Sequence, residues 1–286
     1  MATKILTDSA ADLPQDILDA YEIDVASLHV YCDNQEYLDG KTIQPLQMMQ
    51  EMRQGKVFKT SQVDPASFLE YFEQYAKQGD SCIYIGFSSG LSATYQSALL
   101  AKAEIQKLYP DFKLHTVDTK CASLGQGLVV YKAAQLLKAG KSFSEIVERA
   151  EFYAQHMEHI FTVDNLEYLY RGGRISRTSA LVGSILSIKP VLQVEDGKLA
   201  PLEKVRGKNK VMRRMVEIMG ERGVNLAEQT IGISHGDDLT SAHKLREMIR
   251  EAYGCRDFII NTIGCAIGAH AGPGTLALFF LNTKTK

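Results

Sequence analysis

Short apolar segments alternate with longer amphipathic segments along most of this sequence, and this alternation constrains the fold more than any other feature. Residues 5–7 and 82–85 have the length and composition of buried strands, and a helical pattern follows each of them. Parallel strands need a crossover connection, which is usually a helix. The alternation therefore predicts an α/β fold whose N-terminal half holds a parallel sheet covered by helices on both faces.

Local signals place the individual elements. Apolar runs predict strands over 23–30, 113–117, 160–163, 230–234, 258–263 and 276–281. Periodic patterns predict helices over 43–52, 65–75, 91–108, 127–139, 144–156, 166–170, 179–186, 209–222 and 239–253. Asp12 and Ser144 are predicted to cap the helices that follow them. Asp196 and Gly197 predict the turn of a β-hairpin within 191–202.

Chain length indicates two domains. The chain has 286 residues, and a domain contains roughly 150 residues. The regular alternation of strand and helix changes in character after about residue 158. We therefore predict an N-terminal α/β domain with a parallel sheet over 1–157 and a C-terminal α/β domain with a mixed sheet over 158–286.

Composition and charge exclude several classes of protein. Apolar residues make up 45% of the chain, which is typical of a globular protein and excludes a disordered one. Lys and Arg together number 32 against 34 for Asp and Glu, so the chain lacks the overall positive field with which proteins hold nucleic acid. No nucleic-acid partner is therefore expected.

The same data bear on where the protein works. The longest apolar run, Leu276–Leu281, is far shorter than the roughly 20 residues that a membrane-spanning helix needs. The N-terminus is polar again by Thr7, which predicts a first strand and no signal peptide. The five cysteines are widely spaced and form no CxxC pair. These features predict a reduced, cytoplasmic protein.

One candidate site lies where an apolar strand meets a long predicted helix. Ser88, Ser89 and Ser92 stand in this junction, where the first N–H groups of a helix and its dipole favour an anion. The sequence Gly86-x-Ser88-x-Gly90 also matches the nucleophile elbow of a serine hydrolase.

The serine-hydrolase hypothesis needs a base and an oxyanion hole. His270 would be the base, and Asp237 or Asp238 the third member of a triad. The sequence has no HGGG-like segment before the elbow to supply the oxyanion hole, which counts against this hypothesis.

Three further segments carry groups that bind oxygen-rich ligands. Thr60 and Ser61 are adjacent hydroxyls in a predicted loop. Three arginines lie within 171–177 around a Gly-Gly pair, and arginine supplies forked donors for a carboxylate or a phosphate. His270 stands among small residues within 264–275, where the backbone can approach a ligand closely. These groups also suit a phosphate-ester-binding module, which stays open as an alternative.

Together and in this order, these segments resemble the DegV family. The matching pieces are Thr7-Asp8-Ser9-x-x-Asp12-Leu13, Lys59-Thr60-Ser61-Gln62, Ser88-Ser89-Gly90-Leu91-Ser92-Ala93-Thr94-Tyr95-Gln96-Ser97-Ala98, Asp118-x-x-x-x-Ser123-x-Gly125-x-Gly127, Leu166-x-x-Leu169-x-x-Gly172-Gly173-Arg174-Ile175 and Gly268-x-His270-x-Gly272-Pro273-Gly274. They span nearly the whole chain. Ala93 departs from the family, which often has glycine there, and is expected to alter packing more than chemistry.

The resemblance implies that the two α/β domains bind one long-chain fatty acid between them. Proteins of this kind serve as the fatty-acid-binding subunit of a bacterial fatty-acid kinase. A partner subunit related to dihydroxyacetone kinases holds ATP and phosphorylates the carboxylate, and the acyl phosphate feeds phospholipid synthesis. The resemblance thus implies no cofactor, no metal and no catalytic residue in this chain, and transient membrane contact for lipid exchange.

The resemblance also assigns roles to individual residues. The carboxylate contacts map onto Thr60 or Ser61 and onto Ser92. Arg174 and His270 supply the polar network beside the head group. Arg206 corresponds to the family's arginine that takes part in productive engagement of the kinase.

Overall fold

The computed structural model describes residues 2–176 and 188–283, so Arg177 and the predicted helix over 179–186 lie outside the described residues. The strands are β1 (Thr3–Asp8), β2 (Asp24–Ala26), β3 (His29–Cys32), β4 (Gln35–Leu38), β5 (Lys59–Ser61), β6 (Ser81–Gly86), β7 (Leu114–Asp118), β8 (Met157–Thr162), β9 (Ile188–Glu195), β10 (Lys198–Arg206), β11 (Thr230–His235), β12 (Asp257–Thr262) and β13 (Leu276–Leu281). The helices are α1 (Gln15–Ala20), α2 (Pro45–Arg53), α3 (Pro65–Gln78), α4 (Thr94–Leu108), α5 (Leu124–Lys138), α6 (Phe143–Gln155), α7 (Glu167–Arg171), α8 (Lys208–Arg222), α9 (Leu239–Tyr253) and α10 (Cys265–Ala271).

The strands form three sheets. One is a parallel sheet of four strands in the order β2-β1-β6-β7. The second is a mixed sheet of six strands in the order β10-β9-β8-β13-β11-β12, in which only β11 and β12 pair in parallel. The third is a small antiparallel sheet in the order β4-β3-β5. The predicted α/β fold with a parallel and a mixed sheet is thus confirmed.

Helices cover the two large sheets. Side chains of α3 and α4 share one apolar cluster with the parallel sheet. Helix α5 packs between the two large sheets, because its buried residues share a cluster with Ile83 of β6 and with Phe161 and Phe279 of the mixed sheet. Helices α8 and α9 pack against the mixed sheet in a separate cluster. The layers therefore alternate between helix and sheet, as the sequence predicts.

Three local predictions are wrong. The predicted strand 23–30 is divided into β2 and β3, which belong to different sheets, because the chain turns between them. Asp12 does not cap α1 but follows a short 3-10 helix in the left-handed conformation, with φ 51°. Ser142 and not Ser144 caps α6, and Glu145 completes a capping box with it.

The division of the strands between the sheets bears on the predicted domain boundary. All strands of the mixed sheet begin at or after Met157, and the strands of the other two sheets precede it. This division supports the boundary between 1–157 and 158–286, which stays a prediction.

Over residues 2–176 and 188–283, we find no helix with the length and apolar character needed to cross a membrane.

Candidate functional site

Helix α10 is anchored at its first residues by carboxylates from distant parts of the chain. Asp39 accepts hydrogen bonds from the backbone N–H groups of Cys265 (2.8 Å) and Ala266 (3.1 Å). Asp12 accepts one from the N–H of Gly264 at 2.9 Å. These bonds satisfy donors that a helix start leaves unpaired. They fix the direction of a helix whose last turn carries His270.

The opposite end of α10 meets strand β5. The Nε2 atom of His270 lies 2.7 Å from the hydroxyl oxygen of Thr60. Thr60 and Ser61 belong to β5 and not to the loop that the sequence predicts, so their side chains point to opposite faces. This alternation brings Thr60 to the site and turns Ser61 toward Tyr31, whose hydroxyl lies 3.3 Å away.

The chemistry of the site depends on the protonation of His270. Burial, together with the nearby charge of Arg174, lowers the pKa of His270 to about 4, so the ring is neutral at neutral pH. Among the described residues, no group forms a hydrogen bond with the buried Nδ1 atom. An unpaired buried N–H is rarer in proteins than an unpaired acceptor. We therefore place the proton on Nε2, where it is donated to Thr60 and leaves the Thr60 hydroxyl proton free for a ligand.

Arg174 adds a positive charge beside His270. Its Nε donates to the carbonyl oxygen of Leu91 at 3.1 Å, and its Nη1 donates to the carbonyl oxygen of Gly172. Burial lowers the pKa of Arg174 from its usual value, yet an arginine stays charged at neutral pH. Over residues 2–176 and 188–283, no carboxylate forms an ion pair with it.

Ser92 lies next to Leu91 and therefore beside Arg174. Helix α4 begins at Thr94 and not at Leu91, so Ser92 precedes the helix by two residues. Its hydroxyl accepts a hydrogen bond from the N–H of Thr94 at 3.2 Å and lies 2.9 Å from the Thr94 hydroxyl. The structure thus brings together four of the predicted site residues, which are Thr60, Ser92, Arg174 and His270.

These four residues form the polar part of one cavity that is otherwise apolar. The space between its walls, with its open side included, is about 750 Å³. Its apolar walls come from both halves of the chain. They include Leu28, Phe87, Leu91, Phe161, Leu169, Val194, Leu199, Ile263, Ile267, Ala277 and Phe279.

Three other polar residues in the wall are occupied by bonds within the protein. Ser123 donates to Asp12 at 2.5 Å, and Thr275 donates to the carbonyl oxygens of Ala271 (2.9 Å) and Gly272 (2.8 Å). His159 is bonded to two backbone groups. Buried polar groups that already have partners gain little from a ligand. A ligand in this cavity therefore meets available polar groups at the end formed by Thr60, Ser92, Arg174 and His270.

Ser61 and Arg206 lie away from this cavity. The walls contain neither residue. Arg206 is the exposed last residue of β10, where it pairs with Ile188 of β9. The structure therefore places Thr60, and not Ser61, in the cavity wall and leaves Arg206 on the surface.

The geometry does not support the serine-hydrolase hypothesis. The hydroxyl of Ser88 is fully buried and donates to the carbonyl oxygen of Gly197, at the tip of the β9–β10 hairpin, at 2.7 Å. Its other hydrogen bond comes from the N–H of Gly90. Among the described residues, no histidine forms a hydrogen bond with the Ser88 hydroxyl, and His270 is bonded to Thr60. Ser88 thus ties the hairpin to the N-terminal half of the chain.

Two residues outside the predicted set of site residues also shape the site. Asp39 anchors α10, and Gly172 packs directly against the ring of His270, since a Cβ atom there would lie 2.0 Å from Nδ1. The glycine pair at 172–173 was a signal for the second, but Asp39 stands in a segment without any distinguishing pattern.

The fold and the site define a class of protein: an α/β protein with a parallel and a mixed sheet, whose apolar cavity ends in hydroxyls, a neutral histidine and an arginine. A family model described as "Uncharacterised protein, DegV family" matches residues 2–283. This chain belongs to the DegV family. It is 47% identical over 280 residues to the DegV domain-containing protein CPE0026 of Clostridium perfringens, and the match covers 97% of this chain and 96% of that one.

Solved structures with the same fold are described as binding lipids or fatty acids. A DegV lipid-binding protein from Thermotoga maritima has a TM-score of 0.87 and 30% identity, and the match covers 100% of both chains. A DegV family protein from Thermus thermophilus, described for its fatty-acid binding, has a TM-score of 0.86 and 28% identity over 99% of this chain and 100% of that one. The family and these neighbours fit a binding protein rather than a catalyst.

Proposed function

We propose that this protein binds a long-chain fatty acid, shields its acyl chain and presents the carboxylate to a partner kinase for acyl-phosphate formation. The observation that carries the proposal is the cavity, because its walls are apolar and its available polar groups gather at one end. Both proposed domains, 1–157 and 158–286, contribute to the walls. The lipid-binding and fatty-acid-binding proteins with the same fold support the ligand class.

The polar end suits an ionised carboxylate. Thr60 and Ser92 offer hydroxyl protons, and Arg174 provides a positive charge that no described carboxylate neutralises. Hydrogen bonds to a charged group are worth about 1.5–3 kcal/mol each, which stabilises the carboxylate in a buried site. His270 is neutral and orients the Thr60 hydroxyl without adding a charge.

The apolar walls supply most of the affinity. Each buried methylene contributes about 0.8 kcal/mol, so a tail of about fourteen methylenes contributes on the order of 11 kcal/mol before ordering costs. A phosphorylated sugar has no group that would gain from these walls. The cavity therefore favours a fatty acid over the ligand of a phosphate-ester-binding module.

The proposal also names a cellular location and partners. We place the protein in the cytoplasm, where an ATP-binding subunit related to dihydroxyacetone kinases would phosphorylate the bound acid and so feed phospholipid synthesis. Transient membrane contact would allow lipid exchange. The exposed Arg206 is the proposed contact to the kinase, since it lies outside the cavity and cannot serve the ligand directly.

Extraction of the purified protein with organic solvent tests the ligand class. Mass spectrometry of the extract should reveal one long-chain fatty acid per protein, or such an acid should load in that ratio from solution. Absence of any fatty acid in both experiments would end the proposal. A stronger calorimetric response to sugar phosphates than to fatty acids would replace it with the phosphate-ester module.

Replacement of Ser92 by alanine should weaken fatty-acid binding about 5- to 150-fold, because the buried carboxylate loses one hydrogen-bond partner, which costs about 1–3 kcal/mol. Titration calorimetry with palmitic acid measures the change. Ser89→Ala is the matched control, since the Ser89 hydroxyl is bonded to Asp118 and does not line the cavity. Equal affinities for both variants would remove Ser92 from the site.

Replacement of Arg206 by alanine should leave palmitate affinity within about twofold of wild type but lower the rate of kinase-dependent acyl-phosphate formation at least tenfold. The reason is that a surface arginine can contribute strongly at an interface and little at a distant cavity. Radioactive ATP and the loaded protein give the rate. Arg213→Ala, another exposed arginine, is the control. A loss of palmitate affinity with an unchanged rate for the loaded protein would refute this role.

A further inference from the structure

The far part of the cavity contains a histidine that the polar site does not use. His159 of β8 is only 3% exposed and lines the cavity together with Ala122 and Phe279. Its ring packs edge-on against Phe279, with 5.2 Å between the ring centroids. His159 is thus a polar side chain in an otherwise apolar part of the cavity wall.

Strand register places His159 in a row across the mixed sheet. Phe279 of β13 pairs directly with His159. On the other side of β8, Phe161 pairs with Leu192 of the antiparallel strand β9. If this pairing is continued by two residues, Val194 lies opposite His159. Leu199 of β10 pairs in turn with Val194. We call these four residues, Leu199, Val194, His159 and Phe279, the far row.

The far row lies well away from the polar end. Thr275 is bonded to the carbonyls of Ala271 and Gly272, beside His270, and Phe279 follows it by four residues along β13. At roughly 3.3 Å per residue, the two positions are about 13 Å apart. Between them Phe161 and Ala277 form the nearer row. An acyl chain held at its carboxylate by Thr60 and Ser92 would therefore reach the far row with its tail.

The ring of His159 is held in one orientation. Its Nδ1 lies 3.1 Å from the carbonyl oxygen of Met157, and its Nε2 accepts the N–H of Ala122 at 3.2 Å. Nδ1 must therefore carry the proton. Burial lowers the pKa of His159 to about 4, so the ring brings no charge to the channel at neutral pH.

Helix α5 blocks the ring from behind. A Cβ atom at Gly125 would lie 2.2 Å from Nε2 of His159, so the ring already touches the backbone of the helix. The ring cannot retreat from a tail that presses against it. Two hydrogen bonds and one helix thus make His159 a stiff part of the wall.

We propose that His159, backed by Gly125, forms the floor of the acyl-chain cavity and sets the longest chain that the protein binds tightly. This inference rests on the proposed function and deepens it by naming the determinant of chain length. Two substitutions should move the chain-length optimum in opposite directions.

His159→Asn should favour longer acids. The asparagine amide can take the place of Nδ1 and keep the hydrogen bond to Met157, while the outer half of the ring is absent. Each additional methylene that enters the space should raise affinity about fourfold. Gly125→Ala should favour shorter acids, because the new methyl group pushes the ring toward the channel, and alanine suits a helix.

Titration calorimetry with saturated acids from dodecanoic to eicosanoic acid measures the optimum for wild type and both variants. Ile267→Ala is the control, since Ile267 lines the cavity on α10 near His270 and should lower all affinities by a similar factor. Opposite shifts of the optimum support the proposal.

Four results would overturn the proposal, and they distinguish failure of the chain-length role from failure of the proposed function. An unmoved optimum in the variant that folds, or a uniform loss of affinity, means that His159 has only a structural role. Shifts of both variants in the same direction contradict the floor geometry. If wild type binds none of the acids, the proposed function itself fails, and the chain-length role falls with it.

Discussion

Replacement of Asp39 by alanine is expected to lower the free energy of unfolding by about 3 kcal/mol, because two buried N–H groups, each worth about 1–3 kcal/mol when unpaired, lose their acceptor. These are the N–H groups of Cys265 and Ala266 at the start of α10. Palmitate affinity should fall as well, since α10 carries His270. Urea unfolding measures the first effect and calorimetry the second.

Two variants make this result specific. Asp111→Ala removes an exposed aspartate and should change stability by less than about 0.5 kcal/mol. Asp39→Asn keeps an acceptor oxygen and should recover part of the loss. An Asp39→Ala protein as stable as Asp111→Ala would show that the carboxylate does not anchor α10.

A comparison of wild type with Asp39→Asn also predicts how stability depends on pH. Burial raises the pKa of Asp39 in the folded protein above its ordinary value, so the folded state holds the proton more tightly than the unfolded state. The stabilisation due to the bound proton is complete below about pH 4 and is lost as pH rises through the raised pKa. Wild type should therefore lose stability relative to Asp39→Asn as pH rises above about 4 and through the raised pKa of Asp39.

The second large effect is expected from Gly172→Ala, which should reduce palmitate affinity at least tenfold. The new Cβ atom would lie 2.0 Å from Nδ1 of His270, so the ring must leave its place beside Thr60. The Thr60 hydroxyl then loses its orientation. The backbone of Gly172 has φ −72° and ψ −10°, which alanine adopts without strain, so the effect comes from the ring.

Gly173→Asn is the neighbouring control for this substitution. Gly173 has φ 68°, a conformation that asparagine tolerates, and a Cβ atom there would meet nothing within 4 Å. Calorimetry should therefore find near wild-type affinity for Gly173→Asn. Wild-type affinity for Gly172→Ala would instead show that the position of His270 does not matter for the ligand.

Local patterns predicted most elements of the fold. The β9–β10 hairpin forms where Asp196 and Gly197 predict its turn, and β13 occupies the predicted apolar run Leu276–Leu281. These predictions succeed because strand length, helical periodicity and turn chemistry depend on neighbours in sequence. Helix α10 was not predicted, since its small residues lack an apolar period and its first N–H groups are paired with Asp39, 226 residues away.

Local sequence patterns also could not show which residues form the site. Thr60, Ser92, Arg174 and His270 were identified from the sequence as one group, but only through the resemblance to the DegV family. The alternation of β5 separates Thr60 from Ser61, and neither the loop prediction nor composition could do so. Nothing in the sequence around His159 indicated a place in the cavity wall.

From the amino-acid sequence one can predict the α/β class, the order of most strands and helices, and the set of residues with suitable chemistry. Only the packing of the folded chain shows which of these residues meet, which hydroxyl faces the cavity and how deep the cavity is. The physical reason is that secondary structure arises from interactions between near neighbours in the chain. A binding cavity arises from packing between segments that are hundreds of residues apart, as the contact between Thr60 and His270 shows.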